Sequence, residues 1–176
     1  VDSSKWEVIE AGLKNLQDKF SSSNMQRCLF TGSEMPGLIL KGNHIAGCDF
    51  SGSDLASSRI QHSFLTGNLF KECSLLETEF SDSYVNGCDF SGADLTGMTV
   101  RSGAFVKNKT AGARWSRTSF NAVHIADIVL EGAVEDCSFE NCAFTGLTFR
   151  NAMLVNTFFK CKSLKRIRFI ECQADR

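Results

Sequence analysis

The chain has 176 residues, with 19 Lys and Arg, 20 Asp and Glu, and a formal net charge of −1. This length is enough for one domain with a sizeable core, and the balanced charge favours neither nucleic acid nor a membrane surface as a partner. Every apolar run is much shorter than the roughly 18 residues that a membrane span needs, so no span is predicted.

Residues 1–20 predict an N-terminal α-helix. Ser4 and Glu7 have the spacing of a capping box. An apolar stripe at helical spacing follows, formed by Trp6, Ile9, Leu13, Leu16 and Phe20. We expect this helix to cap one end of the domain that residues 21–176 form, and binding of a partner is the alternative role.

From Phe20 onward a large apolar residue, here called the centre, recurs at every fifth position as far as Leu130, with Thr110 as the single polar interruption. The count resumes one residue early at Val134 and runs to Phe169. Neither the 3.6-residue period of a helix nor the two-residue alternation of a strand produces a period of five. We expect a bulge or local distortion at Thr110 and at the shortened repeat 131–134.

Two further positions keep the same period. Small residues lie two before each centre, including seven of the eight cysteines, and twelve of the fourteen glycines lie two after a centre. The clearest copies are the segments 48–52 and 88–92, which both read CDFSG, and 93–97, which reads ADLTG.

These segments resemble the consensus of the pentapeptide-repeat family, which is close to A-(D/N)-L-x-x. The resemblance covers roughly residues 20–176 and implies an all-β fold, a right-handed quadrilateral parallel β-helix with four pentapeptides in each square coil. In this fold the centre and the small residue point inward, and glycine eases the corners.

A coil of four pentapeptides has 20 residues, so residues 20 apart stack at about the 4.8 Å spacing of β-strands. About thirty repeats predict seven to eight coils. One inner column should be a stacked aromatic ladder of Phe30, Phe50, Phe70 and Phe90. Asn68 and Asn108 lie at inward positions and need internal hydrogen bonds.

The cysteines contain no C-x-x-C pair, which argues against a zinc ribbon or a thioredoxin-type site. We expect reduced thiols that serve as small core residues, although a disulfide between the stacked Cys28 and Cys48 is an alternative. Reduced thiols favour a cytoplasmic location. Cys161 is out of phase with the other seven and is the candidate for an exposed thiol.

Catalytic motifs are missing from the sequence. It contains none of the patterns G-x-S-x-G, H-E-x-x-H, Walker A or G-x-G-x-x-G. His44 and His124 lie on one face but four coils apart, too far to share a metal ion, and we expect all three histidines to be solvated. We therefore predict no enzyme, no cofactor and no metal site.

Charge alternates along the chain. Residues 48–97 carry eight acids and two bases, residues 98–120 five bases, residues 121–149 five acids, and residues 150–176 seven bases and two acids. On a β-helix these segments become charged bands around a rod, which either pair with each other across coils or select a partner and its register. The candidate partner-binding residues are Asp49, Asp54, Asp89, Asp94, Arg101, Lys107, Lys109, Arg114 and Arg117.

The predicted function is a non-catalytic protein–protein interaction scaffold, either complete in itself or one module of a larger effector or adaptor. The alternative, which the family resemblance implies, is a DNA-mimicking protein that protects the topoisomerase gyrase. The basic bands that interrupt the acidic surface count against that alternative. The predicted partner is a protein rather than nucleic acid, and a homodimer through the C-terminal end is a further expectation.

Overall fold

The computed structural model describes residues 20–172, which wind into a parallel β-solenoid of about seven turns. All strand pairs are parallel and join residues about 20 apart, so each coil lies directly above the one before it. The predicted right-handed quadrilateral β-helix is confirmed. The predicted capping helix lies in the first 20 residues, of which all but Phe20 are outside the described residues.

Most strands have three residues because each side of the square holds only one pentapeptide. Fifteen strands belong to one sheet: β1 Asn24–Gln26, β2 Ile39–Lys41, β3 His44–Ala46, β4 Arg59–Gln61, β5 Phe64–Thr66, β6 Glu79–Asn86, β7 Thr99–Val106, β8 Trp115–Ser116, β9 Ser119–Asn121, β10 His124–Glu135, β11 Ser138–Glu140, β12 Ala143–Val155, β13 Phe158–Lys160, β14 Ser163–Lys165 and β15 Arg168–Ile170. Four strands, β6, β7, β10 and β12, are longer and continue across corners. Single bridges between successive coils extend the pairing where no strand is assigned.

We name the four faces by the columns of inward centres that they carry. Face A runs from Phe30 to Phe169, face B from Met35 to Leu154, face C from Phe20 to Phe159, and face D from Met25 to Leu164. The residues just before and just after each centre point outward and form two outer columns on each face. Face D has the longest continuous ladder, because β1, β3, β5, β6, β7, β10, β12 and β14 all contribute to it.

The corners require left-handed backbone. Glycine adopts this conformation without a steric penalty, and the corner glycines have φ near +65°, as at Gly32 and Gly52. Eighteen non-glycine residues of the described chain also have positive φ, from 45° at Asn151 to 58° at Ser22. Since the corner tolerates side chains, glycine is favoured there but is not obligatory.

The core is a column of stacked side chains. Phe30, Phe50, Phe70 and Phe90 have ring centroids 4.9, 5.1 and 5.0 Å apart and nearly parallel planes, so the predicted aromatic ladder is confirmed. Above Phe90 the aromatic contacts leave face A and pass to Phe105 of face D, at 5.5 Å.

Asn68 and Asn108 bond to the backbone of the coil below. Asn68 accepts a hydrogen bond from the Cys48 amide at 2.8 Å and donates one to the Ile45 carbonyl at 2.9 Å. Two coils higher, Asn108 accepts a hydrogen bond from the Cys88 amide at 2.9 Å and donates one to the Val85 carbonyl at 3.0 Å. The expectation that both asparagines make internal hydrogen bonds is confirmed.

The thiols use the same geometry. The Cys73 thiol donates to the Phe50 carbonyl at 2.8 Å, and all eight cysteines are free. Burial raises the pKa of Cys73 to about 12 and that of Cys88 to about 11. These cysteines therefore fill the small inward position both as apolar groups and as weak donors to a carbonyl.

The expectation of an exposed thiol at Cys161 is wrong. Its side chain is partly buried against the core, and the thiol lies 3.8 Å from the Phe139 carbonyl that it donates to. Burial raises its pKa to about 11. The amide of Lys162 bonds to the Cys142 carbonyl at 2.8 Å, which shows that Cys161 takes the inward place above Cys142 despite its shifted position in the sequence.

The two predicted defects behave differently. At the shortened repeat the register changes between Glu131 and Gly132, which pair with Arg150 and Ala152, so the predicted irregularity is confirmed. At Thr110 the predicted distortion is wrong. Its side chain is buried, its hydroxyl donates to the Val129 carbonyl at 2.6 Å, and the neighbouring backbone bonds keep the regular pattern.

Candidate interaction surfaces

The four candidate aspartates form turns. In each, Oδ1 accepts the backbone N–H of the residue two positions later, at 2.9–3.0 Å: Ser51 for Asp49, Ala56 for Asp54, Ser91 for Asp89 and Thr96 for Asp94. This Asx geometry stabilises the bend that follows the strand. The aspartates of the repeat therefore have a structural role through Oδ1, whatever their Oδ2 atoms contact.

Two of these aspartates also pair with bases. Asp89 Oδ2 lies 3.6 Å from Lys71 Nζ, and Asp94 Oδ2 lies 3.9 Å from Arg114 Nη1. Burial disfavours the charged form of Asp89, but hydrogen bonds from Ser91 and the charge of Lys71 outweigh it and lower the pKa of this carboxyl. The pair Asp94–Arg114 joins the acidic band to the basic band above it, as one of the two sequence interpretations proposed, whereas Lys71 and Asp89 both lie within the acidic band.

Six of the nine candidate residues lie on two adjacent faces. On face A the outer column reads Asp49, Leu69, Asp89 and Lys109, one residue per coil. On face B the matching column reads Asp54, Ser74, Asp94 and Arg114. From Asp49 and Asp54 upward the two faces present the same order of charge, acid–neutral–acid–base, at the same height, whereas one coil lower the columns begin with Leu29 on face A and Glu34 on face B.

The other three candidates are not brought to this surface. Arg101 lies on face C, where its backbone lies between Ser81 and Asn121 of the neighbouring strands. Lys107 lies at the corner between faces D and A, and Arg117 at the corner between faces B and C, both with positive φ. The basic band encircles the rod, so a partner that approaches from one side meets only part of it.

The histidines are exposed, as expected. His44 and His124 share an outer column of face D with Phe64, Tyr84 and Ala104 between them. His62 Nδ1 lies 3.9 Å from Asp82 Oδ2 at the corner between faces C and D. Within residues 20–172, no three His, Cys, Asp or Glu side chains are grouped so that they could hold a metal ion.

Sequence reasoning overlooked face D. Phe64 is 59% exposed and Tyr84 is 38% exposed, and they occupy one outer column of this face. The signal was present in the sequence, because Phe64 and Tyr84 are 20 residues apart and immediately precede a centre. Charge patterning does not reveal this surface, because its outer columns contain no Asp, Glu, Lys or Arg from Asn24 to Thr145.

Parallel coils of 20 residues, inward centres at every fifth position and Asx-stabilised corners define a pentapeptide-repeat β-helix. A sequence model described as "Pentapeptide repeats (8 copies)" matches residues 65–97. The match agrees with the resemblance to pentapeptide-repeat proteins that the sequence shows.

Two solved structures of QnrB1 show the same fold. A trypsin-treated variant of QnrB1, a plasmid-mediated fluoroquinolone resistance protein, has a TM-score of 0.59 and 16% identity over 85% of this chain and 88% of that chain. Full-length QnrB1 gives 0.57 and 15% over 89% and 93%. A pentapeptide repeat protein from the Arabidopsis thaliana thylakoid lumen gives 0.46 and 21% over 55% and 64%. No curated protein matches the chain in sequence.

The part of the chain that the structure describes contains no helix long and apolar enough to cross a membrane. In its last coil several apolar centres are exposed, among them Leu154, Leu164 and Phe169. This apolar end is where the sequence analysis expects a homodimer contact.

Proposed function

We propose that the chain is a non-catalytic scaffold that binds a protein partner through faces A and B. The observation that carries this proposal is the matched order of charge on the two faces. Asp89 and Asp94 lie at one height, and Lys109 and Arg114 lie one coil above them, which is about 4.8 Å. A partner with the complementary charges would be held in one register, because a shift by one coil brings like charges together.

Rigidity supports the same proposal. The Asx turns hold the four aspartates in place through their Oδ1 atoms, so little side-chain entropy is lost when a partner binds. The charges are surface charges, and each pair contributes little by itself. We therefore expect the columns to govern specificity and association rate more than affinity, with binding that weakens as salt is added.

The scaffold fits a reducing compartment, since its thiols are free, and we place it in the cytoplasm. It can serve alone or as one module of a larger effector or adaptor, in which any catalysis would belong to another module.

A second candidate function is topoisomerase protection by DNA mimicry. The likeness of fold to QnrB1 and the paired acidic columns support it. Mimicry of DNA requires a long acidic surface, and here Lys109 follows Asp89 on face A and Arg114 follows Asp94 on face B. For that reason we place it behind the scaffold function.

The test is affinity capture with mass spectrometry, followed by binding measurements on the purified partner. The double variant Lys109→Glu/Arg114→Glu reverses the basic end of both columns. Arg101→Glu is the control for Lys109→Glu and Arg114→Glu made singly, because it reverses one charge of the same band on face C. We expect the double variant to lose the partner and the control to keep it.

Two results would contradict this proposal. If both variants retain every partner, charge on faces A and B does not select one. If Arg101→Glu is as damaging as the double variant, net charge rather than the two columns governs binding. A gyrase supercoiling assay tests the second candidate, and an unchanged reaction in the presence of the protein removes it.

A further inference from the structure

Face D has no formal charge over most of its height. Its two outer columns contain neither Asp, Glu, Lys nor Arg from Asn24 as far as Thr145, and Lys165 is the first charged residue. The column before the centres reads Asn24, His44, Phe64, Tyr84, Ala104, His124, Ala143 and Ser163. The column after them reads Gln26, Ala46, Thr66, Asn86, Val106, Ala126, Thr145 and Lys165.

An aromatic column stands in the middle of this neutral face. The rings of His44 and Phe64 meet edge to face with centroids 6.5 Å apart, and those of Phe64 and Tyr84 are 6.4 Å apart. Phe64 is more exposed than Tyr84, and both are among the exposed large apolar residues of the described chain. Beside them, Gly67 and Gly87 form the corner towards face A without side chains, and a Cβ at either position would meet nothing within 4 Å.

Exposed aromatic rings on a rigid flat sheet are suited to the centre of an interface, where Tyr and other aromatics contribute most of the binding energy. The neighbouring Thr66 and Asn86 supply neutral hydrogen-bonding groups. The partner of such a surface must itself lack charge at the contact, because a charge buried against it would lose its hydration without finding an opposite charge.

A second copy of this chain meets that requirement. In a two-fold symmetric contact each residue near the axis packs close to its own counterpart. A charged residue there faces its own charge, whereas Phe64 and Tyr84 would pack favourably against their copies. Faces A and B place Asp89, Lys109 and Arg114 at mid-height, where such self-contacts would be repulsive.

At mid-height the edges of face D fit this arrangement. Asp82 lies at the edge towards face C, and Lys107 lies at the edge towards face A, about one coil higher. When two face D surfaces pack with a two-fold axis along the rods, opposite edges come together. Lys107 of each copy then lies near Asp82 of the other, and the two rods are parallel.

We propose that face D is a self-association surface on which two copies of the chain pack side by side through their aromatic columns. Eight strands at about 4.8 Å and a width of about 10 Å for three residues give a flat area of about 350 Å² per copy, before the corners are added. The total of about 700 Å² for two copies is below the range of stable specific interfaces, so the dimer is weak and depends on concentration.

The experiment is analytical ultracentrifugation of the whole chain over a wide concentration range. Phe64→Lys places two like charges at the two-fold axis and should weaken dimerisation by about tenfold or more. Leu29→Lys is the matched control on face A, since Leu29 is 58% exposed. Phe169→Lys, at a residue that is 66% exposed in the last described coil, tests the end-to-end dimer.

We expect dimerisation to be weakened by this factor in Phe64→Lys and to be unchanged in both other variants, with unchanged circular dichroism. A chain that stays monomeric at every concentration overturns the inference, as does a dimer that Phe169→Lys abolishes and Phe64→Lys does not.

A second measurement does not depend on the fold of a variant. A photoreactive phenylalanine analogue at position 64 should cross-link to residues 64–87 of another copy, and cross-links to the last coil alone would refute side-by-side packing. Binding of a partner through faces A and B is independent of this contact, so failure here leaves the proposed function standing.

Discussion

Gly103 provides the sharpest test of how the coils stack. It lies in β7 with φ +84°, directly above Ser83 of β6. A Cβ added to it would lie 2.1 Å from the Ser83 carbonyl oxygen and 2.9 Å from the Ser83 amide nitrogen. Both obstacles are backbone atoms held in the ladder, so a flexible side chain cannot relieve the clash. Gly103→Ala must therefore push two coils apart.

The cost has two parts. Left-handed backbone costs a residue with a Cβ about 1–2 kcal/mol, and overlap relieved by shifts of the backbone costs about 1–3 kcal/mol more. Gly67→Ala is the matched control: its φ is +61°, close to the 58° that Ser22 adopts, and its Cβ would meet nothing within 4 Å. Gly67→Ala should be destabilised only by the cost of left-handed backbone. The two variants should then differ by about 2 kcal/mol in the free energy of unfolding.

Thermal unfolding followed by circular dichroism measures this difference. At about 2–4 °C per kcal/mol for a chain of this size, Gly103→Ala should unfold about 4–8 °C below Gly67→Ala. Urea unfolding followed by tryptophan fluorescence gives an independent value. Equal stability of the two variants would refute the argument, because it would mean that the coils separate at this point without cost.

Two further predictions concern titration and thiol reactivity. Because the folded pKa of Asp89 is lowered, its ionised form stabilises the fold above the unfolded pKa of about 3.9, and this contribution is lost as the pH falls through the folded value. Asp89→Asn should therefore reduce the urea midpoint at neutral pH and reduce it less at about pH 3; an equal reduction at both would contradict the assignment. In maleimide labelling at about pH 8, Cys73 and Cys88 should stay unmodified in the folded protein, since burial raises their pKa values to about 12 and 11. The partly buried Cys172 should react first, all cysteines should react in denaturant, and rapid native labelling of Cys73 would show that the core opens.

Much of the fold follows from the period of five. Once the centres are counted, stacking at 20 residues places Phe50 above Phe30 and Asn68 above Cys48, and the structure contains both contacts. The inner positions are predictable because burial on a narrow square coil permits few side-chain types, so each inward site leaves a strong compositional signal.

Local adjustments were not predictable in the same way. Thr110 breaks the apolar series, yet its hydroxyl finds the Val129 carbonyl and the coil stays regular. Cys161 is one residue out of phase, but the backbone shifts so that its side chain still turns inward. In both cases a hydrogen bond or a small backbone shift, invisible in a pattern of residue types, compensates for the irregularity.

The candidate surface was predicted only in part. Charge patterning located the residues of faces A and B, but it could not reveal that the Oδ1 atoms of Asp49 and Asp89 are occupied in turns. It also gave no weight to Phe64, because a single exposed aromatic residue is ordinary in a sequence. Its importance appears only when the coil places Tyr84 beside it.

The shortened repeat shows how this architecture tolerates changes in length. Trp115 and Val134 pair across 19 residues, while Val134 and Leu154 pair across 20. The coil thus lacks one residue at the corner that faces Asn151 of the next coil, and after this corner residues 20 apart pair again. Each turn contacts only its neighbours, so an insertion or deletion is confined to the place where it occurs. A lineage of such proteins can therefore gain or lose residues at corners and keep its faces aligned, which lets outer columns diverge while the lattice that displays them is inherited unchanged.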